Sequence, residues 1–225
     1  MDLKFSYAEV KKRIREACLA CGRDPASVKL IAASKGQSME RILELHSLGQ
    51  VDFGENYAQE LVEKAAKAPS SIRWSYIGRL QSRKIKSILS VASEIQSVDS
   101  WKQIEMIARL AQASGKAPYP IFLEAHVEGD ANKGGFGLAE LRELASRISR
   151  DYAGVLDLQG VMAIPPLAFA EHWSAEAERV YRDLRSLANG VGAGKLSLGM
   201  SSDLEQAIRC GTDIVRVGTA LMGGR

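Results

Sequence analysis

Lys35 is the residue of this sequence with the clearest capacity for nucleophilic chemistry. It follows the apolar run 28–34 (VKLIAAS), which predicts a buried β-strand. A lysine at the end of such a strand is partly desolvated, and desolvation favours the neutral amine that can form a Schiff base with an aldehyde. The alternative is a lysine whose ammonium group simply reaches solvent beyond the strand. Taken alone, Lys35 favours that alternative.

Two turns near the end of the chain have the composition of a phosphate site. The first is 199–203 (GMSSD), where Ser202 and Glu205 also have the spacing of a helix capping box. The second is Gly218-Thr219. Each follows a predicted strand, and backbone N–H groups at such turns are good donors to phosphate oxygens. Ordinary capping explains either turn alone, whereas the presence of both at consecutive strand ends favours a phosphate site.

Arg216 lies within the apolar strand 214–217 (IVRV), and alternation places it on the same face as Ile214. A guanidinium on a mostly apolar strand is costly to bury unless it is paired. The sequence leaves two partners open: a carboxylate elsewhere in the fold, or a bound ligand.

Strand and helix patterns alternate along almost the whole chain. The eight predicted strands are 28–34, 51–53, 72–77, 94–98, 119–127, 156–164, 195–198 and 214–217. The helical patterns that separate them are 39–48, 55–68, 81–89, 100–113, 138–150, 169–188 and 203–210. Strict alternation implies parallel strands with right-handed crossovers, and eight such units fit a closed barrel better than an open doubly wound sheet. We therefore predict an α/β fold: a single (β/α)8 TIM barrel domain over residues 1–225, with an extra N-terminal helix in residues 1–24 packed on the barrel.

A closed barrel brings the candidate residues together. Strand 8 lies beside strand 1, and the functional end of such barrels is the carboxyl end of the strands, often with a phosphate site after strands 7 and 8. Lys35, Arg216 and the turn at 218–219 should then converge. An amine nucleophile, a phosphate cradle and an arginine in one pocket point to pyridoxal 5′-phosphate (PLP) as a cofactor, without yet pointing to an activity.

Composition excludes several other classes of protein. The chain has 225 residues, of which 46% are hydrophobic and 25% charged, as is ordinary for a globular protein. No apolar run reaches the ~18 residues of a membrane span. The net charge of +3 is too small to argue for nucleic acid. The N-terminus has no apolar signal core, so we expect a cytoplasmic protein. Cys18 and Cys21 form a CxxC inside a predicted helix, where packing is favoured over a zinc or redox site.

Six segments together resemble the pyridoxal phosphate homeostasis protein family, which is related to the N-terminal barrel of alanine racemase. They run from about residue 28 to residue 223: LIAASK (30–35), DFGENYAQE (52–60), IGRLQSRK (77–84), LQGVMAIPP (158–166), LSLGMSSDLEQAI (196–208) and VRVGTALMG (215–223). The resemblance implies a PLP site of seven residues: Lys35 for the Schiff base, Ser201, Gly218 and Thr219 for the phosphate, Arg216 near the pyridine nitrogen, and Asn56 and Met162 lining the ring pocket.

The sequence departs from the family pattern at four positions. Ser75 stands where the family usually has histidine, Arg79 and Arg83 replace a proline and an asparagine, and His126 replaces an asparagine. These changes leave the lysine and phosphate positions untouched. They affect the far rim of the pocket and any surface shared with partners.

The resemblance implies a protein that holds and supplies PLP inside the cell without robust catalysis. The sequence agrees, because the second domain from which racemases obtain their second acid/base is not expected in a chain that ends eight residues after strand 8. An arginine at the pyridine nitrogen also makes the ring a poorer electron sink. Two alternatives stay open: a small racemase-like PLP enzyme acting on amino acids, with His126 as an extra base, and a barrel that binds another phosphorylated metabolite.

For partners, we expect PLP, with PLP-dependent apoenzymes as candidate recipients, no nucleic acid, no membrane and no metal. We expect a monomer rather than an oligomer. The basic segment 79–86 (RLQSRKIK) is best interpreted as a solvated helix face, with a second anion site as the alternative.

Overall fold

Eight parallel strands form a closed barrel in the order β1 to β8, and β8 pairs with β1 to complete it. The computed structural model describes residues 2–127 and 134–223. The strands are β1 Lys29–Ala33, β2 Asp52–Glu55, β3 Arg73–Tyr76, β4 Glu94–Val98, β5 Tyr119–Ala125, β6 Leu156–Ala163, β7 Lys195–Ser197 and β8 Ile214–Val217. The predicted TIM barrel is therefore confirmed, and the open doubly wound sheet is wrong.

Helices surround the barrel, and all except the first and the last connect successive strands. They are α1 Leu3–Ala20, α2 Met39–Ser47, α3 Ala58–Ala65, α4 Ile85–Val91, α5 Trp101–Ala113, α6 Leu141–Asp151, α7 Leu167–Glu171, α8 Ala175–Ala188, α9 Leu204–Arg209 and α10 Thr219–Met222. Within the described residues, no helix combines the length and the apolar character that crossing a bilayer would require.

Most element ends differ from the sequence prediction by a few residues, and four differences matter more. The helix predicted from residue 55 begins at Ala58, because Glu55 ends β2 and is fully buried. The basic stretch 82–84 is a 3₁₀ turn that precedes α4. The long helix predicted over 169–188 is two helices, and the N-cap of the second is Ser174, whose side chain accepts the Ala177 N–H at 3.2 Å. The four-residue α10 after β8 was not predicted.

Two different environments fill the inside of the barrel. One is an apolar cluster of Ile31, Phe122, Met162 and Ile214. The other is polar: the Ser197 hydroxyl on β7 and the Gln96 amide on β4 are 2.7 Å apart, and because these strands are not neighbours, this hydrogen bond crosses the interior. TIM barrels usually fill this space with branched apolar side chains, and the polar pairing departs from that pattern.

Helix α1 packs against α9 and α10, the two helices that follow the last two strands. The Arg13 guanidinium donates to both carboxylate oxygens of Glu205 on α9, at 2.6 and 2.9 Å, and to the Ser201 carbonyl at 3.1 Å. The Ser6 hydroxyl donates to the Leu221 carbonyl on α10 at 2.7 Å. The predicted N-terminal helix therefore fixes the two segments that carry the candidate phosphate turns.

Candidate functional site

A cavity of about 250 Å³ opens at the carboxyl end of the strands and gathers most of the predicted site. Six of the seven predicted residues line it: Lys35, Asn56, Ser201, Arg216, Gly218 and Thr219. The convergence expected from the adjacency of β8 and β1 is thus present. Five further residues, not among the seven, complete the lining: Ala33, Ile77, Ile164, Met200 and Ser202.

Lys35 lies two residues beyond the end of β1, in a tight turn that we call the amine turn (residues 34–36). Gly36 takes a φ of +69° there, which favours glycine. The lysine side chain is exposed, so the desolvation that we expected at a strand end is absent. The reason is that the strand ends at Ala33, which places the lysine outside the barrel wall and at the mouth of the cavity.

A buried ion cluster holds the amine turn from both sides. The Lys64 ammonium on α3 donates to the Ser34 carbonyl at 2.8 Å, to Glu55 Oε1 at 2.7 Å and to Glu60 Oε2 at 2.8 Å. The same Glu60 oxygen accepts the Gly36 N–H at 2.8 Å. Lys64 therefore has an acceptor for each of its three protons, whereas the lysine that it helps to position reaches the cavity.

Glu55 is the fully buried member of this cluster. Burial raises the pKa of its carboxyl group, and hydrogen bonds from Lys64 and Ser34 oppose that rise. Its second oxygen, Oε2, has no hydrogen-bond partner among the described residues. The cluster thus depends on the Lys64 ammonium to compensate the negative charge of the desolvated Glu55 carboxylate.

The loop after β7 (residues 199–203) is shaped by Gly199 and Asp203. Gly199 has a φ of +98°, and a Cβ there would lie 2.5 Å from the Ala207 Cβ, so only glycine fits. The Asp203 carboxylate accepts the Met200 N–H at 2.6 Å and the Tyr181 hydroxyl at 2.5 Å. The predicted capping box is wrong, because α9 starts after Asp203 and its cap has no side-chain hydrogen bond.

The loops after β7 and β8 present hydrogen-bond donors to the cavity. The Ser201 hydroxyl accepts the Ala220 N–H at 3.2 Å, which ties the two loops together. The backbone N–H groups of Ser202 and Thr219 have no partner in the part of the chain that the structure describes, and both residues line the cavity. With the hydroxyls of Ser201 and Thr219, they form a set of donors suited to phosphate oxygens.

Arg216 faces the cavity from β8 and is 5% exposed. Its guanidinium donates to the Ser197 hydroxyl at 2.6 Å and to the Ala163 carbonyl at 2.9 Å. Burial lowers its pKa to about 10, against the opposing influence of Asp203 and Glu124. The side chain is therefore still a cation at neutral pH.

Asn56 is held by backbone contacts at the opposite side of the cavity. A Cβ on Gly78 would lie 2.0 Å from the Asn56 carbonyl oxygen, so the two backbones pack as closely as glycine allows. The Tyr76 hydroxyl donates to the carbonyls of Asn56 and Arg79 at 3.2 and 3.0 Å. Burial raises the pKa of Tyr76 to about 12, so it stays a donor over the physiological range.

Met162 and His126 are not brought to the cavity lining. Met162 is fully buried in the barrel interior, and Ile164, two residues further along the same face, lines the cavity above it. His126 follows β5, and its backbone N–H donates to the Phe136 carbonyl at 2.9 Å.

Arg79 and Arg83 line a separate groove of about 400 Å³, which shares only Asn56 with the cavity. Cys18 packs in the core, as predicted. The packing predicted for Cys21 is wrong, because α1 ends at Ala20 and leaves Cys21 as its exposed C-cap.

Comparisons with known proteins bear on the fold and on the family. The family model of the alanine racemase N-terminal domain matches residues 8–225. The pyridoxal phosphate homeostasis protein of Pseudomonas aeruginosa is 40% identical over 98% of this chain and 94% of that protein. The structure of PipY from Synechococcus elongatus with PLP bound has a TM-score of 0.78 at 31% identity, covering 93% of this chain and 100% of PipY.

A more distant likeness concerns the fold alone. Alanine racemase from Bartonella henselae has a TM-score of 0.77 at 14% identity, covering 99% of this chain and 58% of the racemase. With the domain match over nearly the whole sequence and the 40% identity to a curated relative, the chain belongs to the pyridoxal phosphate homeostasis protein family.

Proposed function

We propose that this chain binds PLP in the cavity, holds it as a Schiff base on Lys35 and acts in intracellular PLP homeostasis without robust catalytic activity. The observation that carries the proposal is the convergence of an amine, a set of phosphate donors and a buried guanidinium on one cavity. These three groups match the aldehyde, the phosphate ester and the pyridine ring of PLP. The names of the P. aeruginosa relative and of the PLP-bound PipY structure support the same ligand.

The covalent step requires only the Lys35 amine and the aldehyde. The neutral amine attacks the carbonyl carbon, a C=N bond replaces the C=O bond, and water leaves. Because Lys64 is bound to three acceptors, its amine is not available for this reaction. The amine turn instead holds Lys35 at the mouth of the cavity, where its side chain is free to reach the ligand.

The remaining predicted residues take supporting parts in the proposal. Ser201, Gly218 and Thr219 hold the phosphate, and Arg216 faces the pyridine nitrogen. Asn56 lines the ring pocket from the β2 side. Met162 contributes the floor beneath Ile164, since Ile164 and Met200 provide the apolar surface of the lining.

Holding the cofactor, rather than using it, is favoured by the groups around it. Among the described residues that line the cavity there is no carboxylate, imidazole, phenol or thiol to serve as a second acid/base opposite Lys35. A racemase-like reaction needs such a group within hydrogen-bond reach. His126, the candidate for that part, is outside this lining. A cationic Arg216 near the ring nitrogen further disfavours its protonation, which weakens the ring as an electron sink.

The absorption spectrum of the purified protein with added PLP tests the proposal. We expect a visible Schiff-base band and, after borohydride treatment, a stable adduct. A protein that stays colourless with excess PLP would favour a different phosphorylated ligand. Rapid stereospecific exchange of an amino-acid α-proton would instead favour the racemase-like enzyme.

The phosphate assignment makes a separate prediction. Thr219→Val keeps the shape of the side chain and removes one hydroxyl donor. A hydrogen bond to a charged group contributes roughly 1.5–3 kcal/mol, so we expect PLP affinity to fall at least about tenfold. Pyridoxal, which has no phosphate, is the matched control ligand and should bind Thr219→Val and the unmodified protein equally. Equal losses for both ligands in equilibrium titrations would contradict a phosphate contact at Thr219.

A further inference from the structure

A continuous chain of hydrogen bonds runs through the barrel from Arg216 to Glu94. The Arg216 Nη1 donates to Ser197 Oγ at 2.6 Å, and Ser197 Oγ lies 2.7 Å from Gln96 Oε1. Gln96 Nε2 then donates to Glu94 Oε1 at 2.7 Å. Arg216 is near the carboxyl end of β8, whereas Glu94 is the first residue of β4. This series of hydrogen bonds therefore links the cavity to the opposite end of the barrel.

The direction of every hydrogen bond in this chain is fixed. Arginine can only donate, so Ser197 must accept from it and give its single proton to Gln96 Oε1. That contact sets the amide orientation and directs the Gln96 Nε2–H group at Glu94. A flipped amide would place its oxygen against the carboxylate. The three hydrogen bonds therefore run in one direction, from the Arg216 guanidinium to the negatively charged Glu94 carboxylate.

Burial makes the chain sensitive to the loss of any member. Ser197 and Gln96 have no solvent exposure, and an unsatisfied polar group in such a place carries a desolvation cost. Chains of hydrogen bonds also polarise one another where the effective dielectric constant is low. Glu94 Oε1 is the common acceptor, since Ser75 donates to it at 2.7 Å and Lys29 at 3.3 Å.

The chain also restricts the orientation of the guanidinium. Arg216 Nη1 is held by Ser197 and Nη2 by the Ala163 carbonyl. With both terminal nitrogens anchored to different strands, the plane of the group has little freedom to turn. The direction of the other guanidinium N–H groups is then set by contacts within the barrel and not by the ligand.

We propose that Glu94, acting through Gln96 and Ser197, is a positioning residue that sets the orientation of the Arg216 guanidinium against the ring of the bound cofactor. This inference rests on the proposed PLP function. It assigns a part to a residue at the far end of the barrel that does not line the cavity. Ser75 donates to the same Glu94 oxygen and so helps to hold that carboxylate in place.

The experiment compares Glu94→Gln and Gln96→Leu with the unmodified protein in PLP titrations. Both variants should bind PLP about tenfold more weakly, the change expected for a disturbed hydrogen bond to a charged group. The visible absorption maximum of the bound cofactor should also shift, because the donors at the ring nitrogen tune its electronic state. Competition by inorganic phosphate should be unchanged, since the proposed phosphate contacts Ser201 and Thr219 take no part in this series of hydrogen bonds.

Two further variants separate positioning from a general loss of structure. Lys29→Met removes another partner of Glu94 and leaves the hydrogen bonds between Glu94 and Arg216 intact. The PLP affinity and the spectrum of this variant should therefore match those of the unmodified protein. Combining Glu94→Gln with Gln96→Glu exchanges the carboxylate and the amide. This exchange should restore most of the affinity and the absorption maximum, which a merely structural effect would not do. Thermal unfolding followed by circular dichroism identifies any variant that fails to fold. If Gln96→Leu fails to fold, Glu94→Gln alone provides the test.

The outcomes distinguish this inference from the function on which it rests. Unchanged PLP affinity and spectrum in Glu94→Gln, with PLP bound by the unmodified protein, would overturn the positioning role and leave the proposed function standing. The absence of PLP binding by the unmodified protein would overturn both.

Discussion

Replacing Lys35 with alanine should abolish covalent attachment of PLP while leaving the phosphate donors in place. Lys35 is the one primary amine among the described residues that line the cavity. Without it, no Schiff base can form there and the visible band of the bound cofactor should be lost. Phosphate contacts at Ser201 and Thr219 do not depend on this amine, so weak, non-covalent binding of PLP should persist. Borohydride treatment followed by mass spectrometry of the intact protein measures the covalent fraction.

A matched control for this experiment is Lys84→Ala, which removes a lysine from the neighbouring groove outside the cavity. This variant should retain a stoichiometric adduct, and peptide mapping should place that adduct on Lys35. A stoichiometric adduct in Lys35→Ala, on any other lysine, would show that the Schiff-base residue is misassigned.

The sequence carried enough information to predict the barrel because each element has its own local pattern. The predicted strands 94–98 and 214–217 are both found with the predicted bounds, and both are largely buried. Strand ends then indicated where the chemistry should lie, since all parallel strands of a barrel end at one face. Lys35, Arg216 and the turn at 218–219 were found at one cavity for this reason.

What the sequence could not predict depends on exact strand ends and on contacts across the barrel. Met162 and Ile164 point to the same face of β6 by alternation, and only the depth of the cavity decides that Ile164 lines it. Likewise, Glu94 and Gln96 look like ordinary polar positions on a strand. Their connection to Ser197 on β7 requires the closed barrel, because β4 and β7 are not neighbours.

Glu55 shows the same limit at a helix start. The helical pattern predicted over 55–68 put Glu55 in the first turn of a helix, where a carboxylate is solvated. The structure instead ends β2 with Glu55 and compensates its charge with Lys64 from the following helix. A lysine nine residues along the chain gives no local signal that it is the partner of a buried carboxylate.

Lys64→Met should therefore be the most destabilising of the single substitutions considered. It leaves the fully buried Glu55 carboxylate without its cation, and breaking a buried ion pair from one side costs roughly 3–5 kcal/mol. It also removes the hydrogen bond to the Ser34 carbonyl that holds the amine turn. PLP affinity should therefore fall together with stability. Urea unfolding at pH 7 measures the first effect, and an exposed lysine three residues further on provides the control variant Lys67→Met.

The pH dependence of Lys64→Met distinguishes a charge effect from lost packing. Burial raises the pKa of Glu55, and Lys64 opposes that rise, so the substitution should raise the pKa further. Between the ordinary and the raised pKa, folded protein binds a proton that unfolded protein releases, and stability falls as pH increases through this range. The free energy lost in Lys64→Met should thus be smaller at pH 5 than at pH 8, and adding Glu55→Gln should recover part of it at pH 8. An equal loss at both pH values, with no recovery in the double variant, would mean that Lys64 stabilises the turn by packing and not by compensating Glu55.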